Sequence, residues 1–254
     1  FTGQIANGSV DLGAGTDKIT LGNFVNTLSV SNIESVLGNN LTDTVSLGAA
    51  LTSAQTIDLG GGNDRLTLGN FANAGTLSNI ETVTAGTGAD TITFATQIVN
   101  GSIDLGAGAD KVVLSGTGAN SATISNVETI IGGSANNTIT IGSTLTNASI
   151  DLGAGSDKLV LSRLPSTVTV SNVETIVGGS VNDAVTLGTA LTNSHNIDLG
   201  VGNDKLTLGA FANSGTIANV ETLVGGSNTD TIAFSTVVSK GAIDLGGGTD
   251  KVTP

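Results

Sequence analysis

The sequence predicts an all-β fold, a right-handed parallel β-solenoid of about eleven turns of 23–24 residues, paired into 46–47-residue double-turn repeats. Three observations predict it. The string I/V-D-L-G-x-G-x-D-K/R recurs at Val10, Ile57, Ile103, Ile150, Ile197 and Ile243. Halfway between stand Ile33, Ile80, Val127, Val173 and Val220, each followed by a glutamate. Short stretches such as Lys18-Ile19-Thr20-Leu21 and Thr91-Ile92-Thr93-Phe94 alternate polar and apolar residues, which is the period of a strand with one buried face.

Taken in order, each first-kind turn has a strand ending at I/V-D-L, a Gly-rich corner and a strand beginning at Lys or Arg. Each second-kind turn begins at N-I/V-E and continues through segments such as Val173-Glu174-Thr175-Ile176-Val177. A more variable stretch, Thr27-Leu28-Ser29-Val30 or Ala122-Thr123-Ile124-Ser125, adds a third strand. Glycine clusters supply corners that need positive φ or close backbone approach. Turns of this length imply a right-angled or triangular cross-section, and eleven of them at ~4.8 Å give a rod on the order of 50 Å long. Residues 1–254 read as one continuous array that starts and stops in mid-pattern, as a segment of something longer or polymeric would.

Composition narrows the function. The 37 glycines are about twice the usual ~7%, and charged residues, at 11%, fall well below the usual ~25%. With six Phe and no Trp, Tyr, Met or Cys, the interior must be a narrow one of Val, Ile, Leu and Ala, without disulfide or thiol chemistry. A net charge of −13 excludes nucleic acid as a partner, since phosphate binding needs a basic surface. No apolar run approaches the ~18 residues of a membrane span, and Phe1-Thr2-Gly3 opens no secretion signal.

All 21 carboxylates fall into two periodic series. The first is Asp11, Glu34, Asp58, Glu81, Asp104, Glu128, Asp151, Glu174, Asp198, Glu221 and Asp244. The second is Asp17, Asp43, Asp64, Asp90, Asp110, Asp157, Asp183, Asp204, Asp230 and Asp250, with Asn137 filling its one gap. Like charges stacked 4.8 Å apart repel by about 3 kcal/mol at an effective dielectric near 20. Lys18, Arg65, Lys111, Lys158, Lys205 and Lys251 follow second-series Asp residues only in alternate turns, so a bound cation is expected to supply the remainder. Oxygen donors on flexible Gly-rich corners suit Ca²⁺. The lone His195 reads as a surface-loop residue, and the row Asn32, Asn79, Asn126, Asn172 and Asn219 as a structural amide ladder.

The stretches Gly13-Ala14-Gly15-Thr16-Asp17-Lys18-Ile19-Thr20, Gly106-Ala107-Gly108-Ala109-Asp110 and Gly86-Thr87-Gly88-Ala89-Asp90-Thr91-Ile92 resemble the G-G-x-G-x-D-x-U-x nonapeptide of RTX (hemolysin-type) calcium-binding proteins. That resemblance, once per turn along the whole chain, implies a secreted bacterial parallel β-roll with Ca²⁺ between the loops of adjacent turns. It places the side-chain ligand role on Asp17, Asp43, Asp64, Asp90, Asp110, Asp157, Asp183, Asp204, Asp230 and Asp250. Asp11, Asp58, Asp104, Asp151, Asp198 and Asp244 bracket the same corners and complete the candidate set. Family nonapeptides run two to a turn of about eighteen residues, whereas here the motif Asp spacing alternates between 20–21 and 26–27. This spacing favours the D-x-G-x-G-x-D corners as the ones that hold metal.

The function expected is non-catalytic: a calcium-stabilised extracellular rod of a bacterial surface layer, surface filament or adhesin stalk. The alternative is the repeat region of a secreted adhesin, toxin or enzyme, serving export and folding. An enzyme is not expected, because no acidic residue lies outside the repeat and no Tyr or Trp offers a sugar-stacking platform. Self-association end to end or side by side is the expected partnership, with cell-surface polysaccharide as a further partner. Export is expected through a type I system whose signal lies outside these residues.

Overall fold

The computed structural model describes residues 1–238 and 241–254. Among the described residues the regular elements are all β-strands, and the chain forms two compact units, Phe1–Val127 and Glu128–Pro254. In the first unit the strands are β1 (Gly8–Asp11), β2 (Lys18–Thr20), β3 (Thr27–Ser31), β4 (Ser35–Asn39), β5 (Thr44–Leu47), β6 (Thr56–Gly60), β7 (Arg65–Thr67), β8 (Ala74–Ser78), β9 (Thr82–Thr84), β10 (Thr91–Phe94), β11 (Gly101–Asp104), β12 (Lys111–Val113) and β13 (Ser121–Ser125). In the second they are β14 (Thr129–Gly133), β15 (Thr138–Ile141), β16 (Leu145–Gly153), β17 (Lys158–Val160), β18 (Ser166–Ser171), β19 (Thr175–Gly179), β20 (Ala184–Leu187), β21 (Asn196–Gly200), β22 (Lys205–Thr207), β23 (Ser214–Ala218), β24 (Thr222–Val224), β25 (Thr231–Phe234), β26 (Ala242–Asp244) and β27 (Lys251–Thr253).

Within each unit the odd-numbered strands build one parallel sheet and the even-numbered strands the other. The chain therefore crosses from sheet to sheet at every corner, and a turn of the solenoid contains two strands. The register fixes its length. Val10 lies beside Val30, Val30 beside Leu47, Val45 beside Leu66, Leu66 beside Val83 and Val83 beside Ile103. Residues stacked in successive turns are offset by 17, 20 or 21 positions, and the corner hydrogen bonds accepted by Asp carboxylates, such as Asn26 to Asp43, Asp90 to Asp110 and Asp43 to Asp64, keep these offsets. The turn is thus shorter than halving the repeat suggests. The cross-section is a two-sheet sandwich, not a right angle or a triangle.

The reason is an odd number. One 46–47-residue repeat holds five strands, which is two and a half turns. The sequence-equivalent strands β1 and β6 consequently lie in opposite sheets, and β11 returns to the sheet of β1. In the second unit β16 and β26 share one sheet while their equivalent β21 lies in the other.

Alternation explains which side each residue takes. In β3, Leu28 and Val30 are buried while Thr27, Ser29 and Ser31 face out. In β7 Leu66 is fully buried between Arg65 and Thr67. The inward Ile, Leu and Val of successive turns stack into a narrow core, each contributing about 1.5–3 kcal/mol on burial. Small residues are forced where turns approach closely. Gly60 has φ +85°, and a Cβ there would run into the Asn39 carbonyl of the preceding turn. Gly106, at φ +84°, meets the Gly86 carbonyl in the same way.

Candidate cation-binding columns at the solenoid edges

The corners place polar side chains one above another along both edges, and the sequence dictates how they are satisfied. On the edge that leads into odd strands of the first unit, the N–H of Asn26 donates to Asp43 Oδ1 (3.0 Å), that of Asp43 to Asp64 Oδ1 (2.7 Å), and that of Asp64 to Glu81 Oε2 (2.8 Å). On the other edge Asn73 donates to Asp90 Oδ1 (2.8 Å) and Asp90 to Asp110 Oδ1 (2.7 Å). Asp17 donates to Glu34 Oε2 (2.8 Å). The second unit repeats the scheme with Asn137 to Asp157 (2.6 Å), Asp157 to Glu174 (2.8 Å), Asp183 to Asp204 (2.7 Å), Asp204 to Glu221 (2.9 Å) and Asp230 to Asp250 (2.8 Å).

Each acid thus caps the backbone N–H one turn before it. The columns mix the two sequence series. A second-series Asp meets a first-series Glu at a separation of 17, as in Asp64 with Glu81. Two second-series Asp residues meet at a separation of 20 or 21, as in Asp90 with Asp110 and Asp43 with Asp64. The first-series Asp residues take no part. Asp11, Asp58, Asp104, Asp151, Asp198 and Asp244 lie at or near the ends of their strands and point outward. Asp58 Oδ1, for example, accepts the Gly60 N–H (3.1 Å) and the Asn79 Nδ2 (2.7 Å). The Asn row does form a ladder to these carboxylates. Asn32, Asn79, Asn172 and Asn219 sit at φ +51° to +53° and donate to Asp11, Asp58, Asp151 and Asp198.

Three further rungs, not anticipated from the sequence, are Asn26, Asn73 and Asn213, buried at the heads of the runs through Asp43, Asp90 and Asp230. Asn73 Nδ2 ties Gly69 O (3.2 Å), Phe71 O (3.0 Å) and Asp90 Oδ1 (2.8 Å) together. Its signal was recurrence at the repeat length, one residue type among many that recur. His195 belongs to a loop, where its Nδ1 accepts the Thr192 N–H (3.1 Å).

The electrostatics of the columns are unfavourable to bare carboxylates. Asp43, Asp64, Asp90, Asp204 and Asp230 are wholly inaccessible to solvent. Burial, together with the charges of Glu81, Asp43 and Asp58, pushes Asp64 up to about 7 against the pull of the Asp43 N–H bond. Burial and the charges of Asp183 and Glu221 push Asp204 to about 6, and burial raises Asp157 and Asp183. Outside the columns Asp11 is lowered by its bonds from Asn32 and Gly13.

Asp43, Asp64, Asp90, Asp110, Asp157, Asp183, Asp204, Asp230 and Asp250 each commit one oxygen to a backbone N–H. Oδ2 is buried without a hydrogen-bond partner in Asp64, Asp90, Asp157, Asp204 and Asp230, and also in Asp17. Asp43 and Asp183 differ: Asn39 Nδ2 (2.8 Å) and the Gly179 N–H (3.4 Å) reach their Oδ2 atoms. Among the described residues no three His, Cys, Asp or Glu side chains converge on a common point. Any cation held here would take carboxylate oxygens singly and complete its shell from main-chain carbonyls of the corners, a donor set for a hard ion.

Fold and columns define the class: an all-β parallel solenoid with buried carboxylates stacked along its edges. No protein-family profile matches the chain, and no curated protein matches it significantly. A solved structure, of a hyperactive, Ca²⁺-dependent, β-helical antifreeze protein from an Antarctic bacterium, is similar at 23% identity over 98% of this chain and 79% of that one, with a TM-score of 0.33.

Proposed function

We propose that this protein is a non-catalytic, calcium-stabilised rod that serves as a structural component outside a bacterial cell, in a surface layer or surface filament. One observation carries the reading: six buried carboxylate oxygens, on Asp17, Asp64, Asp90, Asp157, Asp204 and Asp230, have no partner. A buried acid with an unsatisfied oxygen costs free energy unless it is protonated or bound to a cation. Ca²⁺ would supply that charge, with these Asp residues and the Gly-corner carbonyls as ligands. Catalysis fits poorly, because the column acids are spent on backbone N–H groups and are equivalent from turn to turn.

The first test is circular dichroism and thermal melting in EGTA against millimolar Ca²⁺. A large rise in melting temperature with Ca²⁺ is expected, since binding to the folded state alone stabilises it by RT ln(1 + [L]/Kd). An unchanged melt would overturn the reading. Calorimetric titration refines it: Asp157→Ala, which removes an unpartnered Oδ2, should abolish more Ca²⁺ binding than Asp183→Ala, whose Oδ2 is occupied by the Gly179 N–H.

A further inference from the structure

The two sheet faces carry a charge pattern that the edge columns do not use. Every D-L-G-x-G-x-D-K/R corner sends a carboxylate to one face and a cation to the opposite face at the same edge. Asp11 closes β1 and Lys18 begins β2; Asp58 lies near the end of β6 and Arg65 begins β7; Asp104 closes β11 and Lys111 begins β12. The second unit holds Asp151 with Lys158, Asp198 with Lys205 and Asp244 with Lys251. All twelve lie at outward positions of their strands, with a residue such as Val10, Ile19, Ile57 or Leu66 inward beside them. Among the described residues none of the six cations makes an ion pair.

Because the repeat spans two and a half turns, the sign alternates along each face. The odd-strand face of the first unit reads Asp11, Arg65, Asp104, and its even-strand face reads Lys18, Asp58, Lys111. The second unit reads Lys158, Asp198, Lys251 on its odd face and Asp151, Lys205, Asp244 on its even face. Six carboxylates and six cations balance on the faces. The remaining acids, the second-series Asp residues and the glutamates, stand at the edges, so the excess behind the net charge of −13 is concentrated off the faces.

We infer that copies of this chain stack face to face, parallel and in register, with the odd-strand face of one on the even-strand face of the next. The occupant of each face is a second copy because the complement of each face is the opposite face of the same molecule. Strands of the two sheets cross the rod in opposite directions, so strand-end Asp and strand-start Lys or Arg occupy the same edge. A copy displaced through the thickness of the sandwich brings Lys18 over Asp11, Asp58 over Arg65 and Lys111 over Asp104 of its neighbour. Reversed or same-face pairing sets like charges together or moves the partners to opposite edges. The outward Ser and Thr between the charges, such as Ser29, Thr44, Thr67 and Thr84, are short enough to permit close approach. The contact is heterologous and non-closing, so it extends into rows. The acidic edges stay at the rim, where repulsion keeps rows apart.

This deepens the structural-rod reading, but its test is separate from calcium. A mixture of ¹⁴N- and ¹⁵N-labelled protein, folded in millimolar Ca²⁺, is treated with a zero-length carbodiimide and mapped by mass spectrometry. Expected are mixed-label links joining Asp11 to Lys18, Asp104 to Lys111, Asp151 to Lys158, Asp198 to Lys205 and Asp244 to Lys251. In sedimentation, about 0.5 M NaCl should weaken association. The triple variant Lys18→Gln, Arg65→Gln, Lys111→Gln should lower it about eight-fold, at about two-fold per exposed pair. A monomer at all concentrations, or association that strengthens with salt and yields none of these links, overturns the inference. Links that persist although EGTA leaves the melt unchanged would sink the calcium reading and leave the stacking standing.

Discussion

Asp64 shows what one residue in the column must reconcile. Its Oδ1 is needed by the Asp43 N–H at 2.7 Å, its Oδ2 has no partner, and its side chain is fully buried. Asparagine keeps the acceptor and removes the charge, whereas alanine removes both. Asp64→Asn should therefore melt higher than the parent protein in EGTA and gain less from Ca²⁺. Asp64→Ala should lose about 1–3 kcal/mol in either condition, the cost of a buried N–H left unpaired. Chemical denaturation in the two buffers separates these outcomes, and equal behaviour of the two variants would contradict the dual role. The same residue sets a pH dependence. Asp64 titrates near 7 in the folded chain, and Asp204 near 6, against about 3.9 when unfolded. Between those values the folded state holds protons that the unfolded state has released, so stability without metal falls as pH rises from about 4 to 7. Melting temperature in EGTA should drop across that window, and saturating Ca²⁺ should flatten the slope.

At the scale of elements, the repeat was legible and the turn was not. The repeat period, the strand at Lys18–Thr20 and the variable strand at Thr27–Ser31 follow from alternation and glycine punctuation. The turn length does not, because the anchors at Ile33 and Ile57 look like equivalent corners of a halved repeat. They are separated by an odd share of five strands, and only pairing shows that Val36 lies beside Ile57. The candidate site divides similarly. The second-series Asp residues do stand in edge columns, but Asp11 and its equivalents stand on the faces, and Glu34, Glu81, Glu174 and Glu221 occupy column positions assigned to no site. A periodic series in sequence is a spatial ladder only when its period equals the turn, and half of this repeat is more than a turn. This makes a deletion diagnostic. Removing residues 58–103 joins Ile57 to Asp104 and preserves every neighbouring strand type, so the shortened chain should fold with a melting temperature within a few degrees of the parent. Removing only the first half of that segment, from Asp58 to Ile80, brings unlike strands together and should abolish cooperative melting in the calorimeter. Equal tolerance of both deletions would contradict the five-strand repeat.

For the whole molecule, the two proposals use different surfaces of each unit: the stacking we infer engages the charge-balanced faces, and the Ca²⁺ binding we propose engages the acidic edges. Stability in such an array is a sum of each turn's own terms and those with its neighbours, so each short capping run, such as Asn26–Asp43–Asp64–Glu81, acts locally.

The odd strand count has a further consequence for how such a chain can change. Duplicating one repeat turns everything beyond the insertion by half a revolution, like adding one step to a spiral stair that has two landings per floor. A feature acquired in a single ancestral repeat is then copied onto alternating sides, and the molecule has no privileged front or back. Specialising one side would require mutations in every second repeat, and the gene's own mode of growth would keep erasing the distinction.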